Sequence, residues 1–135
     1  MLLAALISLA GKCDEGEKTN QVTRLMDSEW TVEETSKLFG EQTGPGYYEV
    51  EIHTDPELYP VVNIRNFYNL GDEVVVSARM EDRNLVIPPQ TVDGFTIEGT
   101  GTVKRNLREI RWEYRVDLND GTEDNVSASY RFKRS

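Results

Sequence analysis

The feature that most constrains this chain is an alternation of apolar and polar residues with a period of two. In one segment Ile110, Trp112 and Tyr114 alternate with Arg111 and Glu113. Because successive side chains of a strand point to opposite faces, this period predicts strands with one buried and one exposed face. Such strands are typical of antiparallel sheets. The same pattern recurs in the segments 48–52, 74–80, 95–103 and 126–132.

Short runs rich in Gly, Asn, Asp and Pro separate these segments and predict turns. They lie at 43–46, 55–56, 69–72, 81–84, 92–94 and 119–121. Weaker strand patterns at 30–34, 61–67 and 85–88 bring the expected number of strands to about eight, and only 22–28 fits a short helix. We therefore predict an all-β domain, an antiparallel meander that closes into a small barrel or a curled sandwich, since closure removes exposed edges. Gly99 and Gly101 fall on the inward phase of one strand and fit a tight bend in such a barrel.

The first residues of the chain differ from this pattern. Residues 2–10 form an uncharged apolar run of the length of a signal-peptide core, and they precede Cys13, the single cysteine. The sequence Leu9-Ala10-Gly11-Lys12-Cys13 resembles the lipobox of bacterial lipoproteins, although Lys12 stands where that motif has a small residue. The resemblance implies that the Cys13 thiol is lipidated and that the leader is cut just before it. The alternative is an N-terminal strand or helix with a buried cysteine.

The residues after Cys13 are polar and have no periodic apolar face, which predicts a tether. We therefore divide the chain into a lipoprotein signal peptide (1–12), an acylated cysteine with its polar tether (13–27) and a β domain (28–135). The acidic cluster after Cys13 resembles the surface-export signal of Bacteroidota lipoproteins, whereas Asp14 alone resembles the inner-membrane retention signal of proteobacterial ones. We expect a lipid-anchored protein of the outer membrane or cell surface.

A wider resemblance rests on four segments of the β domain. The segments 63–71, 86–90 and 97–102, together with the opening 29–34, are similar to small lipoproteins of gut Bacteroidota. The resemblance implies a lipocalin-like or calycin-like barrel at the cell envelope. Its motifs are strand ends, turns and a proline-marked edge, so it implies a functional role for no residue except Cys13.

Charge and composition exclude several functions. The formal net charge is −9, which argues against nucleic acid as a partner and against electrostatic adhesion of the chain to an anionic membrane. One Cys and one His cannot build the usual structural zinc site, and we predict no metal and no cofactor. The segment 117–124 is similar to a calcium loop, but its spacing is one residue short and the distal Glu is missing, so we predict a hairpin turn there.

The candidates for catalysis are few. His53 shares the polar phase of Glu49 and Glu51, where it is either a base oriented by a carboxylate or an ordinary surface histidine. No G-x-S-x-G nucleophile motif is present in the sequence. The carboxylates on predicted exposed faces fit salt bridges better than a catalytic pair. We therefore predict no catalytic residue.

Aromatic residues on the inward phase are predicted core, whereas four others lie near turns or on the outward phase: Tyr47, Tyr59, Phe67 and Tyr68. Exposed aromatic rings stack on sugars or anchor protein partners, so these four are the predicted ligand-binding residues if they cluster at one rim. An eight-stranded barrel is either filled by side chains or holds one small ligand. The first functional hypothesis is a non-enzymatic binding or accessory module for a small apolar ligand, a glycan or a protein. The alternative is a small barrel enzyme that uses carboxylates or tyrosines.

Overall fold

The computed structural model describes residues 27–42, 47–54, 57–58 and 60–133. These residues are almost entirely β structure. A short 3₁₀ turn, Phe67–Asn69, lies between the fourth and fifth strands. The strands are β1 (Ser28–Ser36), β2 (Gly40–Gln42), β3 (Tyr48–Thr54), β4 (Val61–Arg65), β5 (Val75–Glu81), β6 (Asn84–Val92), β7 (Phe95–Val103), β8 (Glu109–Asp117) and β9 (Glu123–Phe132).

The strands form an antiparallel meander that closes on itself. From β3 to β9 each strand pairs with the next, β1 pairs with β3, and β9 returns to β1. Eight strands therefore make a closed barrel, as the alternation of residues predicts. The remaining strand, β2, is a three-residue extension that pairs with the second half of β1, beyond the point where β3 begins.

The interior of the barrel is filled by large side chains. Burial alternates along β8 in the predicted phase, where Ile110, Trp112, Tyr114 and Val116 are buried, whereas the alternation in β6 is interrupted after Ile87. The rings of Trp112 and Tyr130 lie 5.5 Å apart, and both are fully buried. Because each such ring removes about 150–250 Å² from water, these aromatic residues dominate the hydrophobic stabilisation of the core.

Gly101 lets the Trp112 ring rest on the backbone of β7, and Gly99 lets the backbone of β8 approach β7 closely. A Cβ atom at Gly101 would lie 2.6 Å from the Trp112 ring, and one at Gly99 would overlap the Cβ of Tyr114. Each glycine is paired across the strands with the residue it would collide with. Close approach of β8 therefore accounts for both glycines, and the predicted bend stays a prediction.

Three predicted elements differ from the structure. The predicted helix 22–28 is wrong at Ser28, which begins β1, and residues 22–26 lie outside the described residues. The predicted strand 61–67 stops at Arg65 because Asn66 adopts a left-handed conformation with φ 66°. The predicted strand 85–88 continues to Val92 through a bulge. The predicted turns 43–46 and 55–56 also lie outside the described residues.

The two ends of the barrel are distinct. Strand register places the turns 37–39, 66–74, 93–94 and 118–122 at one end, which we call the rim. The chain enters β1 at the opposite end, where the Asp27 carboxylate accepts hydrogen bonds from the backbone N–H of Thr54 (2.8 Å) and from its hydroxyl (3.0 Å). Across the described ranges, no helix is both long enough and apolar enough to cross a membrane.

Candidate functional site

Exposed apolar side chains are concentrated at the rim. Leu38 is 43% exposed, Phe39 is 60% exposed and Tyr47 is 38% exposed. Leu38 and Phe39 lie in the β1–β2 turn, and Tyr47 directly precedes β3 at the same end. We call these three the apolar rim residues. A group of large apolar side chains in water is typical of an interaction surface.

A buried carboxylate fixes the turn that carries two of them. Asp124 is fully buried in β9, and its Oδ2 accepts a hydrogen bond of 2.5 Å from the Ser36 hydroxyl. Its Oδ1 accepts one of 3.0 Å from the backbone N–H of Leu38. The Ser36 oxygen in turn accepts a 3.0 Å hydrogen bond from the backbone N–H of Phe39. The exposed side chains therefore project from a backbone that is held to the barrel wall.

Tyr68 connects the neighbouring turn to the same carboxylate. Its hydroxyl donates a 2.5 Å hydrogen bond to Oδ2 of Asp124, and its half-buried ring packs edge-on against Tyr114. Burial and the hydrogen bond to Asp124 raise the pKa of Tyr68, so the phenol keeps its proton and serves as a donor. The Asp124 carboxylate thus ties β9 to two separate turns of the rim.

A second buried carboxyl lies inside the barrel below the rim. Glu34 is 4% exposed, and its Oε2 accepts hydrogen bonds from the hydroxyls of Tyr114 (2.7 Å) and Tyr48 (2.9 Å). Burial raises the pKa of the Glu34 carboxyl, and the two hydrogen bonds oppose part of that rise. A buried carboxyl of this kind is a candidate proton donor or acceptor.

The surroundings of Glu34 are crowded. The Tyr130 hydroxyl is fully buried and has no hydrogen-bond partner among the described residues, and the same holds for the indole N–H of Trp112. Burial, with the nearby Glu34 charge, raises the pKa of Tyr130 well above its ordinary value. The cluster therefore presents neutral phenols to one carboxyl in a space that aromatic side chains fill.

The structure places the predicted ligand-binding residues in different environments. Tyr47 is exposed at the rim, and Tyr68 is half-buried there. Phe67 is fully buried, with its ring 4.6 Å from that of Tyr114, so its expected exposure is wrong. The left-handed conformation of Asn66 begins a 3₁₀ turn that carries Phe67 into the core. Tyr59 and the predicted lipidation residue Cys13 lie outside the described residues.

Four residues of this site were not predicted from the sequence. Leu38 and Phe39 precede Gly40, which has φ 81°, so an apolar pair before a turn glycine was the available signal. Glu34 shares the inward phase of Trp30 and Val32 in β1. Asp124 likewise shares the inward phase of β9. A carboxyl on an inward phase was therefore the signal for both buried groups.

The other candidate groups have ordinary surroundings. His53 is half exposed, and its Nε2 lies 3.3 Å from Oε2 of Glu51 on the barrel surface. In the predicted calcium-like segment the Asp117 and Asp120 carboxylates accept hydrogen bonds from nearby backbone N–H groups, as in a hairpin turn. Within the described part of the chain, no three His, Cys, Asp or Glu side chains are grouped as metal ligands.

An open groove of about 640 Å³ lies on the outside of β6 to β9. Pro88 and Pro89 form one wall, and Glu98 and Arg115 lie on its floor. Arg115 forms ion pairs with Glu98 and, at 3.3 Å, with Glu123, so its positive charge is neutralised within the chain. This neutralisation makes the groove a weaker candidate than the rim for a charged partner.

The two ends of the barrel also differ in charge. The rim turns carry one basic residue, Lys37, with four acidic ones: Asp72, Glu73, Asp93 and Asp120. The opposite end is mixed: the turn 104–108 carries the exposed basic residues Lys104, Arg105 and Arg108, whereas the acidic residues Asp27, Glu57 and Asp82 lie elsewhere at that end. The rim therefore combines apolar side chains with a negative surface.

Comparison with known proteins assigns no family to this chain. No protein-family model matches it. No curated protein matches it in sequence at a significant level.

Proposed function

We propose that this protein is a lipid-anchored component of the bacterial cell envelope whose barrel is a non-enzymatic binding module, with a protein partner docking at the rim. The observation that carries the proposal is that Leu38 and Phe39 are exposed while Asp124 holds their backbone in place. Apolar side chains on a fixed backbone lose little conformational entropy when a partner covers them, so they make good anchors.

The position of the proposed anchor supports this use of the rim. Cys13 precedes Asp27 by fourteen residues, which span at most about 50 Å. Asp27 lies at the end of the barrel opposite the rim, and nine-residue β1 separates the two ends by roughly 30 Å along the strand. The proposed anchor is therefore attached at the end away from the rim, which leaves the rim free for a partner.

The filled interior supports a protein partner over a small apolar ligand. Trp30, Trp112 and Tyr130 are fully buried within the barrel, where a ligand of lipocalin-like proteins would sit. A ligand could enter only if these rings moved, and that would cost the packing energy of the core. Binding on the exposed rim needs no such rearrangement.

Site-specific photocrosslinking in native membranes tests the proposal. The photoreactive residue p-benzoylphenylalanine replaces Phe39 at the rim or, as a matched control, Leu58, which is 61% exposed at the opposite end. We expect one discrete protein adduct from position 39 and none from position 58. We expect the yield of the position 39 adduct to fall when Asp124→Ala is added. Equal crosslinking at both positions, or none at position 39, contradicts a binding rim.

A second candidate function is a small barrel enzyme, and buried Glu34 is the observation that favours it. A carboxyl with a raised pKa beside the hydroxyls of Tyr48 and Tyr114 has the chemistry of a general acid. A fragment screen that follows the ring resonances of these two tyrosines tests this alternative. A fragment that shifts both resonances in the wild type and does not shift them in Glu34→Gln favours an enzyme. If no fragment of the library shifts either resonance, the screen argues against an accessible site.

A further inference from the structure

One side of the barrel is closed by backbone pairing over only part of its length. The strands β5 and β6 are paired only beside their connecting turn, at Arg79↔Val86, Met80↔Leu85 and Glu81↔Asn84. From there toward the rim, residues 75–78 of β5 do not pair with residues 87–92 of β6. We call this unpaired stretch the seam.

The sequence of β6 explains the seam. The pairing of β6 with β7 shifts between Ile87 and Gln90, which is a β-bulge. A bulge bends its strand away from the neighbour. The bulge contains Pro88 and Pro89, which have no backbone N–H to donate across the gap. The separation of β6 from β5 is therefore built into the chain.

A single side chain spans the seam in place of a strand. The Oε1 of Gln90 accepts a 2.9 Å hydrogen bond from the backbone N–H of Ser77, and its Nε2 donates a 2.8 Å hydrogen bond to the Ser77 carbonyl. A residue of an adjacent antiparallel strand makes the same two bonds. Since N–H and C=O groups of alternate residues point to the same side, those of Val75 also face the seam. The edge of β5 is thus arranged to bind an extended backbone.

We propose that the seam binds a short extended segment of a partner protein, which adds as a strand beside β5 and displaces the Gln90 side chain. A groove of about 420 Å³ at the rim end of the seam indicates the chemistry of that segment. Its lining combines Val75, which is 37% exposed, and Val92 with the carboxylates of Glu73 and Asp93. A segment with β-branched residues flanked by Lys or Arg complements both features.

The same charges argue against a second copy of this chain as the occupant. Each copy carries a formal net charge of −9, and a second copy would bring further carboxylates to a groove that already holds Glu73 and Asp93. This inference goes beyond the rim function, because it requires neither the lipid anchor nor the apolar rim residues.

Backbone-modified peptides test the seam directly on the full-length chain carrying Cys13→Ala. The probe is acetyl-Lys-Thr-Val-Thr-Val-Lys-amide. We expect it to shift the amide resonances of Val75 and Ser77 and the side-chain amide of Gln90. The same peptide with N-methylated backbone amides should bind at least tenfold more weakly, and a peptide with Glu in place of Lys should also bind more weakly.

Variants of the spanning side chain provide the second arm. Gln90→Ala frees the Ser77 backbone, so we expect about tenfold tighter binding of the probe, whereas Thr91→Ala, an exposed neighbour, should leave the affinity unchanged. The proposal is overturned if the N-methylated or acidic peptide binds as well as the probe, or if the Val75 and Ser77 resonances do not move. Dimerisation of Gln90→Ala without peptide would instead assign the seam to a second copy. Because the wild type is tested with the modified peptides, an unfolded variant does not remove the test.

Discussion

Replacement of Asp124 by alanine removes the acceptor that holds the rim. Three donors lose their partner: the hydroxyls of Ser36 and Tyr68 and the backbone N–H of Leu38. A buried donor left without a partner costs about 1–3 kcal/mol, whereas a donor that can reach water costs less. Ser36 is 2% exposed and cannot be rehydrated without movement, while Tyr68 is half-buried. We therefore expect Asp124→Ala to lower the free energy of unfolding by about 3 kcal/mol.

Urea denaturation measures this loss, with Asp120→Ala as the matched control. Asp120 is exposed, and its hydrogen bonds go to Thr122 in the same hairpin turn, so its removal should leave the unfolding midpoint nearly unchanged. Amide hydrogen exchange adds a local readout, since the N–H groups of Leu38 and Phe39 depend on Asp124 directly or through Ser36. We expect both amides to exchange faster in Asp124→Ala.

Two results would refute this reasoning. Equal unfolding midpoints for Asp124→Ala and Asp120→Ala would show that the buried hydrogen bonds contribute no net stability. A large loss of stability with unchanged exchange at Leu38 and Phe39 would show that Asp124 supports the barrel without fixing the rim.

Three other substitutions test separate parts of the structure. Gly101→Ala places a methyl group 2.6 Å from the Trp112 ring, so we expect a loss of about 1–3 kcal/mol in urea unfolding, while Thr100→Ala on the exposed face stays close to wild type. Glu34→Gln tests the raised pKa of Glu34. A raised pKa means that the folded wild type binds the Glu34 proton more tightly than the unfolded wild type does. That contribution is complete below the ordinary pKa of 4.5 and disappears as the pH rises through the folded value, so the wild type should lose stability relative to Glu34→Gln as the pH rises above 4.5. A difference in unfolding free energy between the wild type and Glu34→Gln that does not change with pH would contradict the raised pKa of Glu34. Phe39→Ser should change the free energy of unfolding by less than about 0.5 kcal/mol in urea denaturation, since that side chain is 60% exposed.

The fold could be predicted because its main determinant is local. The alternation of Ile110, Trp112 and Tyr114 with charged residues fixes which face of β8 is buried, whatever the neighbouring strands are. Turn residues then divide the pattern into separate strands, although β4 ends before and β6 runs beyond the predicted limits. The closing pair β1–β9 follows because an open meander would leave two exposed edges.

The candidate site could be predicted only in part, because its contacts are distant in sequence. The Ser36–Asp124 hydrogen bond joins residues 88 positions apart, and it depends on the register Ser36↔Val126 between the first and last strands. Alternation gives the inward phase of Asp124 but not the side chain it meets. Tyr47 could be placed near a turn, whereas Phe67 could not be assigned to the core without the backbone conformation of Asn66.

The seam shows the same division between local and distant information. Pro88 and Pro89 predict weak pairing at that point of β6 from their missing N–H groups alone. The identity of the group that fills the gap depends on how far the bulge turns Gln90 toward Ser77. That geometry follows from the assembled barrel, so the sequence pattern does not contain it.

The intact mass of the protein extracted from native membranes tests most directly whether Cys13 holds the barrel at the envelope. We predict that the wild type has the mass of a chain beginning at Cys13 with added acyl groups, and that Cys13→Ala lacks those groups and leaves the membrane fraction. A wild-type protein that is soluble, unmodified and still carries Met1 would contradict the proposed anchor.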